Sequence, residues 1–362
     1  MTDLFNNTYK GKRVLVTGNT GFKGSWLAIW LTILGAEVAG LADGIPTEPS
    51  NYKVSGLDKK LKQNTIDVRN YDDVLNVFES FKPDIVFHLA AQALVRKSID
   101  EPKLTFETNV LGTMNILEAL RNFRADTAGV IITSDKCYRN LEWEWGYRET
   151  DELGGDDPYS ASKGCAELIC RAYANTYGLT ISTTRAGNVI GGGDWAENRI
   201  VPDCVRKWNA GESILMRQPN ATRPWQHVLE PLSGYLHLGS KLLESPKKFK
   251  GQSYNFGPNT DMSYSVGELV KTLAKHWSKA EYAESKEKKG AESECMLLKL
   301  NCDKALAHLK WSATLSFEEA VKMTADWYSE YYRTKKNMFQ FAEAQIKEYT
   351  KIAKEHQAPW IK

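Results

Sequence analysis

A chain of 362 residues, 42% hydrophobic and 25% charged, can bury a large core, and its length suits one large domain with a lobe, or two domains, and not a disordered chain. With 47 basic against 45 acidic residues the formal charge is +2, which excludes a general electrostatic drive toward nucleic acid or an anionic membrane; any anion site must be local. The first residues lack the basic and apolar regions of a secretory signal, no later run is apolar enough to span a bilayer, the six cysteines show no Cys-x-x-Cys spacing, and the six histidines show no paired ligand spacing, so a cytoplasmic protein with reduced thiols and no metal is expected.

Arg13-Val14-Leu15-Val16-Thr17 is a β-branched run that enters Gly18-Asn19-Thr20-Gly21-Phe22-Lys23-Gly24, and residues 25–34 then place apolar side chains at helical spacing. Gly18, Gly21 and Gly24 form a G-x-x-G-x-x-G variant of the dinucleotide fingerprint. The first glycine allows a tight strand exit, the second lets backbone amides approach a pyrophosphate, and the third lets helix and strand pack closely. Its place between a strand and a helix makes the signal specific, with Phe22 and Lys23 inside the same cofactor segment. Further strands are predicted at 37–41, 64–68, 85–89 and 130–133, with helices at 71–81 and 106–121. This alternation predicts an α/β fold: a Rossmann-type, doubly wound parallel sheet.

Asp43 ends the second strand roughly 20 residues past the turn, where an acid bonds the ribose 2′-hydroxyl of NAD; no nearby arginine awaits a 2′-phosphate, so NAD is favoured over NADP. Asp43 followed by Gly44 also reads as a turn. Asp67 has two readings, a partner for the adenine amino group or a surface carboxylate.

Ser134 closes the strand before a helix that Asp156-Asp157-Pro158 begins, and Tyr159 and Lys163, four apart, share one face of that helix. A phenol is a poor base at neutral pH. Bringing Tyr159 from about 10 to about 7 requires roughly 4 kcal/mol, expected from Lys163 together with a cationic nicotinamide.

The second half is punctuated by Gly191-Gly192-Gly193, Pro202, Pro219, Pro224 and Pro231 and carries tryptophans at 195, 208, 225, 277 and 311, the pattern of a smaller α/β lobe closing over a ligand. Residues 281–290 read as a solvated charge run, and the chain past Arg333 as a terminal helix. The expected organisation is a cofactor domain at 1–187, to which the chain returns at about 226–257, a substrate lobe at 188–332 and a helical tail at 333–362.

The strings around Gly18–Gly24, His88-Leu89-Ala90-Ala91-Gln92, Thr133-Ser134-Asp135-Lys136-Cys137-Tyr138 and Tyr159-Ser160-Ala161-Ser162-Lys163 resemble the extended short-chain dehydrogenase/reductase superfamily over most of the chain. That resemblance implies cofactor contacts at Leu89, Ala90, Gln92, Tyr159 and Lys163, a backbone-organising role for Asn109, and a homodimer through helices at 109–120 and 159–173, with a tetramer also open. Epimerases of the superfamily carry small or apolar residues where this chain has Asp135-Lys136, so the resemblance is to the 4,6-dehydratases. Residues 21–26, 185–196 and 223–228 are similar to the branch acting on CDP-glucose, with a GDP-mannose-type dehydratase, a 4-epimerase and a silent sensor as alternatives.

The implied chemistry has Tyr159 take the carbon-4 hydroxyl proton, Ser134 hold the oxygen, and Asp135 protonate the departing carbon-6 hydroxyl. The 4-keto-6-deoxy product would feed deoxysugar synthesis for surface polysaccharide such as lipopolysaccharide O antigen. The relatives acting on dTDP-glucose have Asp-Glu at this place, so their glutamate base does not transfer. Lys136 stands as the carbon-5 base or as a residue positioning water or substrate, with a salt bridge to Asp135 as a third reading. Asp135 needs a raised pKa, which burial would supply. Arg199 and Arg223 are the expected pyrophosphate ligands, with Asn188, Asp194 and Trp195 lining the pocket or serving as loop residues. His227 is expected to pack.

Overall fold

Seven parallel strands make the central sheet of the computed structural model: β1 (Arg13–Thr17), β2 (Glu37–Ala42), β3 (Lys62–Thr65), β4 (Ile85–His88), β5 (Ala128–Ile132), β6 (Ile181–Ala186) and β7 (Ser253–Phe256). Their spatial order is β7-β6-β5-β4-β1-β2-β3, so the chain winds away in opposite directions from the β1/β4 pair and opens a crevice beyond its carboxyl ends. The structure describes residues 3–124, 126–216, 218–259, 263–284, 297–334 and 337–362; most of the charge run, 285–290, lies outside them, as does Cys295. Cys137, Cys165, Cys170, Cys204 and Cys302 are free thiols. Among the described residues no helix is long and apolar enough to cross a membrane, and no three His, Cys, Asp or Glu side chains gather as metal ligands.

The sheet is covered on both faces because its strands alternate between two apolar clusters. Val14 and Val16 face the layer of Trp26, Trp30 and Tyr235, whereas Leu15 faces the layer of Val74, Phe78, Ile116 and Leu120. The third strand begins and ends earlier than the predicted 64–68: past Thr65 the chain turns out of the sheet, and Asp67 accepts hydrogen bonds from both the backbone and the guanidinium of Arg69. The predicted helix at 106–121 is broken into Pro102–Phe106, a π-helical turn Glu107–Leu111 and Gly112–Phe123. The wide turn carries Asn109, whose amide donates to Gln92 O at 3.0 Å and Ser162 Oγ at 2.9 Å.

The chain comes back to the sheet through the helix Leu229–Glu244 and the strand β7. Inside the lobe, Trp195 packs edge-on against Trp327, Tyr328 and Tyr331, joining the glycine-rich segment to the helix Phe317–Thr334. The terminal helix Phe339–Glu355 lies on the first helix, Phe22–Ile33, with the rings of Trp30 and Tyr349 5.9 Å apart. Trp360 is fully buried and stacks on both Tyr349 and Phe5, and the Asn6 N–H donates to Lys362 O.

Candidate active site

The glycine turn is shaped by two close approaches. Gly18 has φ +69°, and a Cβ there would stand 2.7 Å from Ala90 N; a Cβ on Gly24 would stand 2.1 Å from Gly18 O. Only glycines let the first helix start this close to β1, with Gly21 as its N-cap and its amino end aimed at the crevice. Such a cradle suits a dinucleotide pyrophosphate. Thr17 Oγ1 accepts the Leu89 and Ala90 N–H groups, both at 3.1 Å, and bonds His88 Nδ1 at 2.7 Å. Burial pushes His88 down to about 3, so the ring is neutral and hands its other nitrogen to Thr113 at 3.1 Å.

Asp43 is exposed just past β2, beside the turn, since Thr20 Oγ1 donates to Gly44 O at 2.7 Å. Asp67 is engaged by Arg69, which holds its carboxyl below the usual range. Gln92 is tied within the chain at every polar group: its N–H and C=O to Asn109, its amide to Leu94 and Thr105. It fixes the loop after β4, and Asn109 organises backbone as expected from the resemblance.

Asp157 caps the active-site helix, Pro158–Tyr177, accepting Ser160 N–H at 2.9 Å with Pro158 in the first turn. Tyr159, Lys163, Ser134 and Asp135 are all buried at the head of β5. Ser134 Oγ donates to Asp135 Oδ1 at 2.9 Å and accepts the Lys136 N–H at 3.2 Å; Asp135 Oδ2 is buried with no partner. Burial raises the Asp135 pKa, and Lys136, then Ser134 and Lys23, oppose it. Burial thus favours the protonated form of this carboxyl more than it would be favoured in solvent.

In the chain by itself, Tyr159 is shifted away from the value a base at neutral pH needs. Burial pushes its pKa up to about 12, with Ser134 the main opposing influence, because loss of solvent outweighs the cations present. Lys163 Nζ lies 6.0 Å from the Tyr159 ring centroid and donates to Ile132 O at 3.5 Å, so it is not by itself the charge that brings the phenol toward 7. Burial lowers Lys163 itself to about 8. Lys23 is also brought down to about 8, first by burial and then by Arg199, with Asp135 and Asp194 opposing; these influences place it between turn, acid and lobe.

Asp194 Oδ2 pairs with Arg199 Nη1 at 2.8 Å and Oδ1 accepts the Ala196 N–H, so the acid shapes this loop and orients the guanidinium. Trp195 is a core residue of the lobe. Asn188 is half-buried and its carbonyl accepts Gln226 N–H at 3.2 Å. Arg223, with Nη1 on Thr222 O, precedes Pro224, which closes on the centre. His227 packs against Trp26, and burial lowers it to about 3. Sequence reasoning missed Gly187, where a Cβ would stand 3.1 Å from Asp135 Oδ2 and 2.9 Å from Pro224. It also missed the buried Glu167–Arg185 pair at 2.7 Å behind Lys163. Their only local signals were a glycine after a buried strand and an acid one helical turn beyond a lysine.

The sequence profile of the family described as GDP-mannose 4,6 dehydratase matches residues 15–324. The chain is 42% identical over 336 residues to a CDP-glucose 4,6-dehydratase of Salmonella typhimurium, covering 90% of this chain and 93% of that one. It is 25% identical to a dTDP-glucose 4,6-dehydratase of Haemophilus influenzae, covering 87% and 97%. Among solved structures, the UDP-glucose 4-epimerase of Thermus thermophilus in complex with NAD superposes with a TM-score of 0.74 at 25% identity, covering 88% of this chain and 99% of that one.

Proposed function

This chain belongs to the GDP-mannose 4,6-dehydratase family within the extended short-chain dehydrogenase/reductases, and from that membership we propose that it converts CDP-glucose to CDP-4-keto-6-deoxyglucose and water. The observation that carries the reading is Asp135. An epimerase needs a redox cofactor and one proton shuttle, but this site adds a second buried acid with a raised pKa next to Tyr159 and Ser134. That is the proton donor a leaving hydroxyl requires. The match to the Salmonella enzyme supports the cytidine nucleotide.

Gly18, Gly21 and Gly24, with Phe22, Lys23, Asp43, Asp67, Leu89 and Ala90 around them, would hold NAD, which when bound would accept a hydride from carbon 4 and return one to carbon 6. Tyr159 takes the carbon-4 hydroxyl proton while Ser134 Oγ orients the oxygen. The resulting ketone acidifies the carbon-5 hydrogen, which a base at Lys136 removes. Asp135 gives its proton to the carbon-6 hydroxyl, which leaves as water, and a proton returns to carbon 5 as the cycle closes. Arg199, steered by Asp194, and Arg223 bind the pyrophosphate, and Asn188 lines the pocket. A closed-shell redox cycle leaves no net change in the cofactor.

The enzyme acts as a homodimer in a cytoplasm, supplying a deoxysugar precursor for surface polysaccharide such as O antigen. The apolar side chains Leu111 and Leu168, exposed on the helices named from the resemblance, with Phe106 and Tyr177 exposed just beyond their bounds, support the pairing. The test is incubation with CDP-glucose, dTDP-glucose, UDP-glucose and GDP-mannose in parallel, followed by mass analysis. Loss of one water from CDP-glucose is expected; loss from another donor alone overturns the nucleotide, and epimerisation without water loss overturns the dehydratase.

A further inference from the structure

Three residues of the active-site helix, each one turn apart, reach three consecutive positions at the end of β5. Tyr159 lies against Ser134, Lys163 Nζ donates to Ile132 O at 3.5 Å, and Glu167 Oε1 accepts the Thr133 hydroxyl. Glu167 is almost wholly buried and its partners come from three strands or strand ends. Its Oε2 accepts from Arg185 Nη2 at 2.7 Å and Thr183 Oγ1 at 2.7 Å on β6, and from Ser253 Oγ at 3.1 Å on β7. Arg185 in turn donates to the Tyr138 hydroxyl at 2.7 Å and lies over its ring at 4.8 Å. Tyr138 follows the segment that carries Asp135 and Lys136. Glu167 is therefore clamped from both sides of the segment bearing the acid and from the helix bearing the phenol and the lysine.

We propose that Glu167 is a positioning residue for the reaction: it locks Ser134 and Asp135 in register with Tyr159 and Lys163, and its charge keeps Lys163 an ammonium. The proposal rests on the dehydratase reading for its kinetic half only. The groups facing Lys163 are Cys137 after β5, Cys170 and the neutral phenol of Tyr159 on its own helix, His88 on β4 and Lys23 in the glycine turn, besides Glu167 itself. His88 is neutral and both thiols are held protonated by burial, so Glu167 is the fixed anion near Lys163, and Lys23 opposes it. Burial already draws Lys163 down toward neutrality, and Glu167 resists that drift. Loss of the Glu167 charge strands the Arg185 cation beside the site, so both changes push Lys163 the same way.

The test separates charge from reach. In Glu167→Gln the Lys163 titration, followed by NMR of 13C-labelled lysine and assigned with Lys163→Arg, is expected to fall by about 1 pH unit, and the alkaline limb of kcat with it. In Glu167→Asp, which keeps the Arg185 pair but shortens the reach to Thr133, the titration stays and kcat falls about tenfold at unchanged KM. Unmoved titration in a folded Glu167→Gln overturns the charge role. Wild-type kcat in Glu167→Asp with a lowered Tm overturns the positioning role, and decides it even if Glu167→Gln does not fold. Absence of sugar-nucleotide turnover in the unaltered enzyme would sink the dehydratase reading while leaving the NMR result to judge the charge.

Discussion

Asp135 is poised by two neighbours that add almost nothing themselves: Ser134, which donates to one carboxyl oxygen, and Gly187, whose missing side chain leaves room at the other. Gly187→Ala would force a methyl to 3.1 Å from Oδ2 and 2.9 Å from Pro224, too close for either to stay. We expect water loss to slow by roughly 100-fold, since small displacements of reacting groups carry penalties of that order, with the fold retained by circular dichroism. Lys136→Ala is expected to keep carbon-4 oxidation, visible as reduced nicotinamide absorbance, and to lose dehydration; undiminished dehydration would assign the carbon-5 base elsewhere. Tyr159, Lys163 and Ser134 were legible because a strand end, a helix start and a four-residue spacing are local patterns. The depth at which Tyr159 is buried was not, because it depends on how much solvent distant parts of the chain remove, a quantity no local pattern carries.

At the level of elements, β1, the glycine turn and the first helix could be read directly, since one apolar run and three glycines encode them without help from afar. The strand β6 could not. Its Ser182, Thr183 and Arg185 are buried polar residues, and they are tolerated because Phe249 O, Ser253 and Glu167 receive their hydrogen bonds. The helix Leu229–Glu244 shows the same dependence on distant partners. Glu230 accepts the Thr314 and Leu315 N–H groups at 2.9 and 2.6 Å and the Tyr349 hydroxyl at 2.9 Å, yet burial raises it from 4.5 to about 7. Because the folded value is raised, the neutral acid is the favoured form in the fold. Its contribution is fully present below about pH 4.5 and is lost as pH rises to about 7, roughly 3 kcal/mol in all. Glu230→Gln keeps an oxygen for the two backbone N–H groups, and Tyr349 can turn its hydrogen to Ser233, 3.0 Å away. Thermal scans should show this variant losing less Tm than the parent between pH 5 and 8.

Across the whole molecule, the two ends of the chain meet. Trp360 lies between Phe5 and Tyr349, and both rest on Trp30 of the first helix. Trp360→Ala should cost about 3–5 kcal/mol, seen as a Tm lower by about 5–10 °C, with kcat at low temperature unchanged because the cluster lies away from Asp135 and Tyr159. The proposed pairing is tested by Leu168→Glu, at an exposed position of the active-site helix: size-exclusion chromatography should show a dimer for the parent and a monomer for the variant. The terminal helix was visible in the spacing of Phe339, Phe341, Ile346 and Ile352, but its docking place was not, since that is decided by aromatic rings more than three hundred positions earlier.

That closure has a consequence for how the polypeptide is made. Phe5 and Trp30 leave the ribosome more than three hundred residues ahead of Tyr349 and Trp360, the rings that cover them. At roughly 5–20 residues per second, the nascent chain carries an uncovered aromatic face for some tens of seconds. Each molecule therefore presents an apolar target for chaperones during that interval, and a stop codon ahead of Tyr349 would make the exposure permanent.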